Sequence, residues 1–263
     1  MPAAVKNKDL EKTRNPKLET NPKFKLPNAQ NEDKGELSIK LVSLKPIPYN
    51  TRKTGKMITI IDYKAGNLTS VQLAFEHLGQ KVKITDKPAE ILQAEKIVFP
   101  GVGAAKAAMD SLKKLKLIEP IRKAIAEGVP FFGICIGMQV MFETSEEDNG
   151  TECLGILAGT VKKFKSSDKF CKIPQIGWNT VKNVRPHPVF DGVEDQSEFY
   201  FVHSYYPACS DKNHIIGQTE YADAVFASAA GKENLVATQF HPERSGRIGL
   251  KLFENFSNWD GKC

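Results

Sequence analysis

From residue 57 onward, buried strand patterns alternate with amphipathic helix patterns, and this alternation is what most constrains the fold. The strand patterns cover 57–62, 81–85, 96–100 and 129–134. The helix patterns cover 68–79, 104–115 and 118–127. Strands that alternate with helices of this length form βαβ units, in which the strands are parallel. The sequence therefore predicts an α/β fold, with a mostly parallel central sheet and helices on both faces.

After about residue 150 the pattern changes. Short strand-like stretches separated by turn residues follow one another, which predicts an antiparallel extension of the sheet. The segment 233–240 returns to the pattern of a buried strand, and 248–259 predicts a closing amphipathic helix. A further helix is predicted at 138–143. We expect a single domain over 57–263.

Residues 1–56 are rich in Lys, Asn, Pro and Glu and carry a net charge of +7, whereas the rest of the chain carries −1. Such a segment buries too little apolar surface to offset its ordering entropy, so we expect a basic, disordered leader. Two alternatives stay open: a transit peptide, and a natural start at Met57. Because the body is neutral, it lacks the basic stripe of a nucleic-acid-binding domain.

The cysteine pattern and the hydropathy restrict the class further. There are five cysteines, an odd number, and no pair has the CxxC spacing. This disfavours a disulfide framework or a zinc site, and free thiols fit the reducing cytoplasm. No stretch approaches the roughly 18 apolar residues of a membrane span. We therefore expect a cytoplasmic protein with no membrane contact, and no metal or cofactor is predicted.

The sharpest local motif is GICIG at 133–137, which lies between a buried strand and a helix pattern. A nucleophile flanked by two glycines at such a junction is exposed on a sharp turn. The helix N-terminus favours the thiolate of Cys135. The alternative, a buried structural cysteine, is the more usual state of a free cysteine, and the motif alone does not decide between them.

Two further motifs follow strands. His241 and Glu243 in QFHPE are two residues apart, so in an extended chain both point the same way, and the carboxylate can orient the imidazole as in a catalytic triad. The alternative is a surface pair. The glycines of PGVG at 100–103 can direct N–H groups toward a developing oxyanion, although an ordinary strand-to-helix turn has the same pattern.

Taken together, these motifs resemble the class I (triad) glutamine amidotransferases, whose fold is flavodoxin-like. Within that class the finer motifs are similar to the glutaminase subunits of imidazole glycerol phosphate synthases. They are IIDYKAGN (60–67), PGVG (100–103), GICIGMQ (133–139), IPQIGWN (173–179), FVHSYYP (201–207) and QFHPERS (239–245). The chain departs from the common pattern at Lys64, where many members have Gly, and at Gln175-Ile176, where many have His-Met.

The resemblance implies a role for each matching residue. Cys135 is the implied nucleophile, His241 the base and acid, and Glu243 its orienter. The implied oxyanion hole is formed by backbone N–H groups of Ile136 and of the turn at Gly101-Val102. The residues implied to hold the α-amino and α-carboxylate groups of L-glutamine are Gly103, Gln139, Glu147, Ser204 and Tyr205. His203 is either structural or part of the substrate pocket.

The resemblance also implies a partner. In the family, ammonia passes to a cyclase with a TIM-barrel fold of about 250 residues, which makes imidazole glycerol phosphate and AICAR in histidine biosynthesis. Only 20 residues follow Glu243, so we expect that barrel to be a separate chain in a heterodimer. Asn67, Trp178 and Tyr200 lie on motifs near the docking face. Another class I amidotransferase, a γ-glutamyl hydrolase and a non-catalytic partner scaffold are the alternatives.

Overall fold

A computed structural model describes residues 56–64 and 68–263. The predicted disordered leader, apart from Lys56, lies outside the described residues. The same is true of Asn67, the first of the predicted interface residues.

The elements follow one another in an α/β order in the first half of the chain and a mostly β order in the second. The first half forms β1 (Ile58–Ile61), α1 (Leu68–His77), β2 (Val82–Thr85), α2 (Pro88–Leu92), β3 (Lys96–Gly101), α3 (Ala105–Lys114), α4 (Ile118–Ala126), β4 (Phe131–Cys135) and α5 (Ile136–Gln139). The second half forms β5 (Thr144–Ser145), β6 (Thr151–Glu152), β7 (Gly159–Lys163), β8 (Gln175–Asn183), β9 (Ser197–His203), β10 (Tyr205–Cys209), β11 (Ile215–Tyr221), β12 (Ala224–Lys232), β13 (Leu235–Thr238) and α6 (Gly246–Asn258).

Nine strands form the main sheet in the order β2-β1-β3-β4-β13-β12-β11-β8-β9. The strands from β2 to β13 are parallel, and those from β13 to β9 pair antiparallel. The predicted α/β fold, with a parallel sheet and an antiparallel extension, is therefore confirmed. Parallel strands end at the same edge, so the carboxyl ends of β3, β4 and β13 lie side by side.

Alternate residues of the parallel strands pack on opposite faces of this sheet. Phe99 and Phe131 face one core with residues of α2, α3 and α4, such as Met109 and Leu112. The neighbouring residues of the same strands, including Phe132, face a second core with residues of α1 and α6. Both faces are thus covered by helices, and strands buried on both faces have the continuous apolar pattern seen in the sequence.

The predicted antiparallel extension is divided between two sheets. A separate four-stranded sheet has the order β10-β7-β5-β6, and β7 was expected in the main sheet. In it, β7 pairs antiparallel with β10, from Tyr205 opposite Lys163 to Cys209 opposite Gly159. Because β7 pairs antiparallel with β10, as the strands of the second half do within the main sheet, strand patterns alone do not distinguish the two sheets.

The helix predicted at 138–143 is shorter in the structure, since α5 ends at Gln139. The carbonyls of 140–143 instead accept backbone N–H groups from 153–157, with Leu154 donating to Val140 at 2.9 Å and Cys153 to Glu143 at 2.9 Å. Met138, Val140, Met141 and Phe142 are all fully buried. A buried turn and a buried helix have the same apolar composition, which explains the error.

Candidate active site

Cys135 lies at the end of β4 in a strained backbone conformation. Its φ is +56° and its ψ is −108°, which is rare for a residue with a side chain. Glycines permit the turn on both sides: a Cβ on Gly137 would collide with the carbonyl oxygen of Phe99, and one on Gly133 would lie 2.6 Å from the carbonyl oxygen of Gly137. This is the geometry of a nucleophile elbow.

His241 and Glu243 follow β13, which pairs with β4 in register from Leu235 opposite Phe131 to Thr238 opposite Ile134. His241 Nδ1 donates a hydrogen bond to Glu243 Oε1 at 2.8 Å, and both side chains are buried. The backbone N–H of His241 donates to the Tyr200 carbonyl at 2.9 Å. The imidazole is therefore held from two sides, at the same sheet edge as Cys135.

The electrostatics of His241 favour its protonated form. Burial, the largest single effect, disfavours a charged imidazole. The negative charge of Cys135, a hydrogen bond with its sulfur, and the carboxylate of Glu243 together outweigh burial and raise the pKa of His241 to about 10. The protonated imidazole of His241 is thus stabilised by the negative charges beside it, and in this form it can donate a proton.

Gln239 is a site residue that the sequence did not identify. Its side chain is fully buried, and its Nε2 donates a hydrogen bond to Cys135 Sγ at 3.7 Å. Its Oε1 accepts one from Gln139 Nε2 at 2.9 Å. The only signal in the sequence was its place in QFHPE, two residues before His241. Gln239 therefore links the proposed nucleophile to a predicted substrate residue.

A cavity of about 320 Å³ opens beside Cys135 and His241. Of the predicted site residues it is lined by Val102, Gly103, Cys135, Ile136, Gln139, Glu147, Ser204, Tyr205 and His241. His203, for which the sequence left a structural role and a place in the pocket open, also lines it, and Pro174, Val202 and Arg244, which were not predicted as site residues, complete the lining. The volume suits a ligand of amino-acid size.

Two of the predicted substrate residues, Gln139 and Glu147, form hydrogen bonds within the protein. Gln139 Nε2 also donates to the carbonyl of Tyr205 at 3.0 Å. Glu147 accepts the N–H of Ala105 at 2.7 Å, at the N-terminus of α3. Burial raises the pKa of Glu147 and nearby Asp148 adds to the rise, while the Ala105 N–H opposes it. These bonds fix both side chains at the cavity wall, and their contact with glutamine remains a prediction.

The three residues predicted for the oxyanion hole lie together. Gly101 pairs with Cys135 across β3 and β4, and Ile136 begins α5. Val102 is half-exposed. Gly103 has a φ of +96°, a backbone conformation that favours glycine. Gly101 does not line the cavity in the described part of the chain, whereas Val102 does. Their role in catalysis stays a prediction.

His203 is a buried, neutral histidine between the cavity and the core. Its Nδ1 donates to the carbonyl of Tyr205 at 2.8 Å, and its Nε2 lies 2.9 Å from the side-chain amide of Gln175. Burial lowers the pKa of His203 most, the bond to the Tyr205 carbonyl opposes this, and the positive charge of His241 adds to the lowering, so that the net pKa is about 4. His203 therefore holds the backbone of a predicted substrate residue, and it also lines the cavity.

Beside the cavity, the outer face of β8 and β9 is apolar and exposed. Trp178 is paired with Tyr200 across the two strands, their ring centres are 6.0 Å apart, and Trp178 is 55% exposed. Ile176 on the same face is 63% exposed. Arg244, from the cavity lining, lies over the Tyr200 ring at 5.3 Å. The predicted interface residues Trp178 and Tyr200 thus adjoin the site.

Among residues 56–64 and 68–263, no three His, Cys, Asp or Glu side chains converge as metal ligands would. No helix in this part of the chain is long and apolar enough to cross a membrane.

Lys64, where the common motif has Gly, adopts a φ of +66°, and its Nζ lies 2.9 Å from Asp62 and 2.8 Å from Asp86. A left-handed backbone of this kind is a conformation that favours Gly.

Comparison with known proteins agrees with this geometry. The model of the glutamine amidotransferase class-I family matches residues 59–258. The imidazole glycerol phosphate synthase subunit HisH of Methanocaldococcus jannaschii is 52% identical over 200 residues, which cover 76% of this chain and 98% of the relative. The HisH subunit of Dehalococcoides mccartyi strain CBDB1 is 46% identical over 200 residues, covering 76% and 96%.

Solved structures share the fold at low identity. A crystal structure of a glutamine amidotransferase superposes with a TM-score of 0.61 at 16% identity, covering 78% of this chain and 98% of that one. A glutamine amidotransferase from Thermotoga maritima gives 0.51 at 17% identity, covering 79% and 84%. At such identity these neighbours establish the fold and nothing about the substrate.

Proposed function

Since the chain belongs to the class I glutamine amidotransferase family, we propose that it is the glutaminase subunit of an imidazole glycerol phosphate synthase, with residues 57–263 as the amidotransferase domain. The observation that carries this proposal is the meeting of Cys135, His241 and Glu243 at one edge of the sheet, beside a cavity lined by the family's substrate residues. The motifs over 60–67, 173–179 and 201–207, and the HisH relatives, support this particular synthase.

In the first half of the reaction, Cys135 Sγ attacks the carboxamide carbon of L-glutamine. The C–S bond forms and the carbonyl oxygen becomes an oxyanion, which accepts hydrogen bonds from the N–H groups of Ile136 and of the turn at Gly101-Val102. His241 then donates a proton to the amide nitrogen, the C–N bond breaks, and ammonia leaves. The product on the enzyme is a γ-glutamyl thioester.

In the second half, water replaces ammonia. His241, now neutral, accepts a proton from water as water attacks the thioester carbon. The C–S bond breaks, glutamate leaves, and the sulfur returns to the thiolate beside an imidazolium. Glu243 holds Nδ1 throughout, so that Nε2 faces the reacting atoms.

The groups that line the cavity suit an amino-acid ligand. Glu147 provides a carboxylate for an α-amino group, and Gly103, Ser204 and Tyr205 line the cavity and are the proposed contacts of the α-carboxylate. Gln139 is held between Gln239 and Tyr205 at the cavity wall, with its Oε1 left for the substrate. A γ-carboxamide then lies next to Cys135.

The partner in this proposal is a TIM-barrel cyclase that receives the ammonia and acts as the lyase of a heterodimer in the cytoplasm. Trp178 and Tyr200 provide the docking face, because exposed aromatic side chains near a site are typical centres of protein interfaces. An apolar contact there would also keep water from the path of ammonia. The free state of Cys153, Cys171 and Cys209 fits a reducing compartment.

The test is glutamate release from L-glutamine, measured with and without a cyclase barrel and with and without its phosphoribosyl substrate. We expect activity that requires the barrel, rises with its ligand, and is lost in Cys135→Ala. Cys171→Ala is the matched control, because Cys171 lies outside the cavity lining, and it should retain full activity.

Two results would contradict the proposal. Full activity without any partner would indicate a stand-alone γ-glutamyl hydrolase or a different synthase. No activity in a complex shown to be intact by size-exclusion chromatography would indicate a non-catalytic scaffold.

A further inference from the structure

Tyr63 lies next to the proposed oxyanion turn and has no role in the mechanism above. It follows β1, none of its surface is exposed, and its ring packs edge-on against Phe99 with 5.2 Å between the ring centres. Its hydroxyl points at the turn, because a Cβ on Gly101 would collide with that oxygen. The side chain therefore contacts the backbone of the turn from within the core.

The hydroxyl of Tyr63 has no hydrogen-bond partner among the described residues. A buried hydroxyl without a partner costs free energy, because it has lost water and gained nothing. Burial raises the pKa of Tyr63, and so does the charge of Cys135, while the backbone N–H of Val102 opposes the rise. That N–H is thus close to the hydroxyl without completing a hydrogen bond of normal geometry.

Tyr63 and Cys135 lie on opposite sides of the strand that leads into this turn. β3 lies between β1, which Tyr63 follows, and β4, which ends at Cys135, and the peptide N–H and C=O groups of a strand point along the sheet toward such neighbours. In a trans peptide the N–H and the C=O point in opposite directions. In one orientation of the Gly101–Val102 peptide, the N–H of Val102 faces Tyr63 and therefore faces away from Cys135. In the opposite orientation, the carbonyl of Gly101 faces Tyr63 and the N–H of Val102 faces Cys135.

We propose that the Tyr63 hydroxyl is a positioning group that favours the catalytic orientation of the Gly101–Val102 peptide, by donating a hydrogen bond to the Gly101 carbonyl once that peptide has turned. The bond is absent in the orientation that the structure shows, so it stabilises only the turned one, and a contact made in one of two states shifts the population toward it. This inference rests on the proposed glutaminase function.

The test compares Tyr63→Phe with wild type in the complex with a cyclase barrel. We expect kcat for glutamate release to fall about tenfold, as for loss of one supporting hydrogen bond in the transition state, with KM within about twofold. We expect the thermal unfolding temperature to stay equal or rise, because the variant removes an unpartnered hydroxyl. Tyr206→Phe is the matched control: Tyr206 packs against Phe164 away from the turn and should retain wild-type kcat.

A second readout separates positioning from a general structural role. Iodoacetamide alkylates Cys135 by displacement at a saturated carbon, in which the C–S bond forms, iodide leaves and no oxyanion develops. Its rate at Cys135, followed by peptide mass spectrometry, should be the same in wild type and Tyr63→Phe. Slower alkylation, or a lower unfolding temperature, would assign Tyr63 a packing role and overturn the inference.

The glutaminase assay distinguishes a failure of the inference on Tyr63 from a failure of the proposed glutaminase function. An active wild-type complex together with an equally active Tyr63→Phe complex would overturn the inference on Tyr63 alone. A wild-type complex without glutaminase activity would overturn both the inference and the proposed function.

Discussion

A single carboxylate oxygen orients the imidazole of His241, so Glu243→Gln tests the proposed site at the level of one residue. Gln keeps the shape but removes the charge that helps to raise the pKa of His241 to about 10. We expect kcat to fall by on the order of 10²–10⁴. Because the proposed reaction uses a protonated His241 to release ammonia, the alkaline limb of kcat/KM should also move to lower pH.

The measurement is the pH–rate profile of glutamate release in the complex. Glu254→Gln is the matched control, since Glu254 pairs with Lys251 on the surface of α6, and its profile should equal that of wild type. An unchanged alkaline limb in Glu243→Gln would contradict the coupling of Glu243 to His241.

Gly101 gives a second prediction at this scale, and it concerns stability. Gly101→Ala introduces a Cβ against the Tyr63 hydroxyl, and overpacking of this kind costs about 1–3 kcal/mol. In a Tyr63→Phe background the colliding oxygen is absent, so the same substitution should cost less. Guanidinium unfolding of the four proteins measures this coupling, and additive costs would show that the hydroxyl does not lie where the structure places it.

The residues of the site differ in how far the sequence could identify them. Cys135, His241 and Glu243 lie within short motifs whose spacing implies chemistry. Gln239 contacts both Cys135 and Gln139, and these contacts depend on the pairing of β4 with β13 across more than a hundred residues. No local pattern encodes such a contact, which is why this residue was missed.

At the scale of elements, α6 is attached to the sheet through a buried lysine. Lys96, at the start of β3, is almost completely buried, and its Nζ donates to the carbonyls of Phe256, at 2.8 Å, and Trp259 at the end of α6. These carbonyls would otherwise lack partners, since the last turn of a helix leaves its acceptors free. Lys96→Met should therefore destabilise the protein by about 1–3 kcal/mol.

The pH dependence of this effect has a defined sign. Burial lowers the pKa of Lys96 to about 8, nearby Lys56 adds to this and Asp260 opposes it. Between pH 8 and the unfolded-state value near 10.5 the unfolded chain binds more protons, so the contribution of Lys96 to stability rises with pH. The difference in unfolding free energy between wild type and Lys96→Met should be larger at pH 9.5 than at pH 7.

The elements themselves were predictable where one face or both faces are buried over several residues. β1, β3, β4 and β13 are continuous apolar runs, and α6 shows helical periodicity. The strands β5 and β6 have two residues each, too few for any periodicity. β5 joins the small sheet by pairing with β7, and β6 joins it by pairing with β5. The pairing with β7 is a tertiary contact and leaves no trace in the local sequence.

At the scale of the whole molecule, the proposed docking face yields a prediction about assembly. Trp178 is exposed, so Trp178→Ala should change the unfolding temperature little. In a complex the same side chain would be buried, and truncation of a central aromatic residue typically weakens binding by about 10- to 100-fold or more. Leu73→Ala is the control, because Leu73 on α1 is 57% exposed and lies apart from β8 and β9.

Isothermal titration of the cyclase barrel into each variant measures this effect. Equal affinities for Trp178→Ala and wild type would remove the face of β8 and β9 from the proposed interface. A loss of affinity in Leu73→Ala of the same size would show that exposed apolar area in general, and not this face, determines binding.

The position of β13 has a consequence for how the chain is made. It is the last strand to be synthesised, yet it lies in the middle of the main sheet, with β4 on one side and β12 on the other. Until β13 is synthesised, the edges of β4 and β12 that it later covers have no partner strand, and unpaired edges promote aberrant pairing. Cys135 emerges long before His241, so the nascent chain carries its thiol without its imidazole. The proposed pair of thiol and imidazole therefore forms only when β13 enters the sheet, so the pairing that completes the sheet also completes the proposed site.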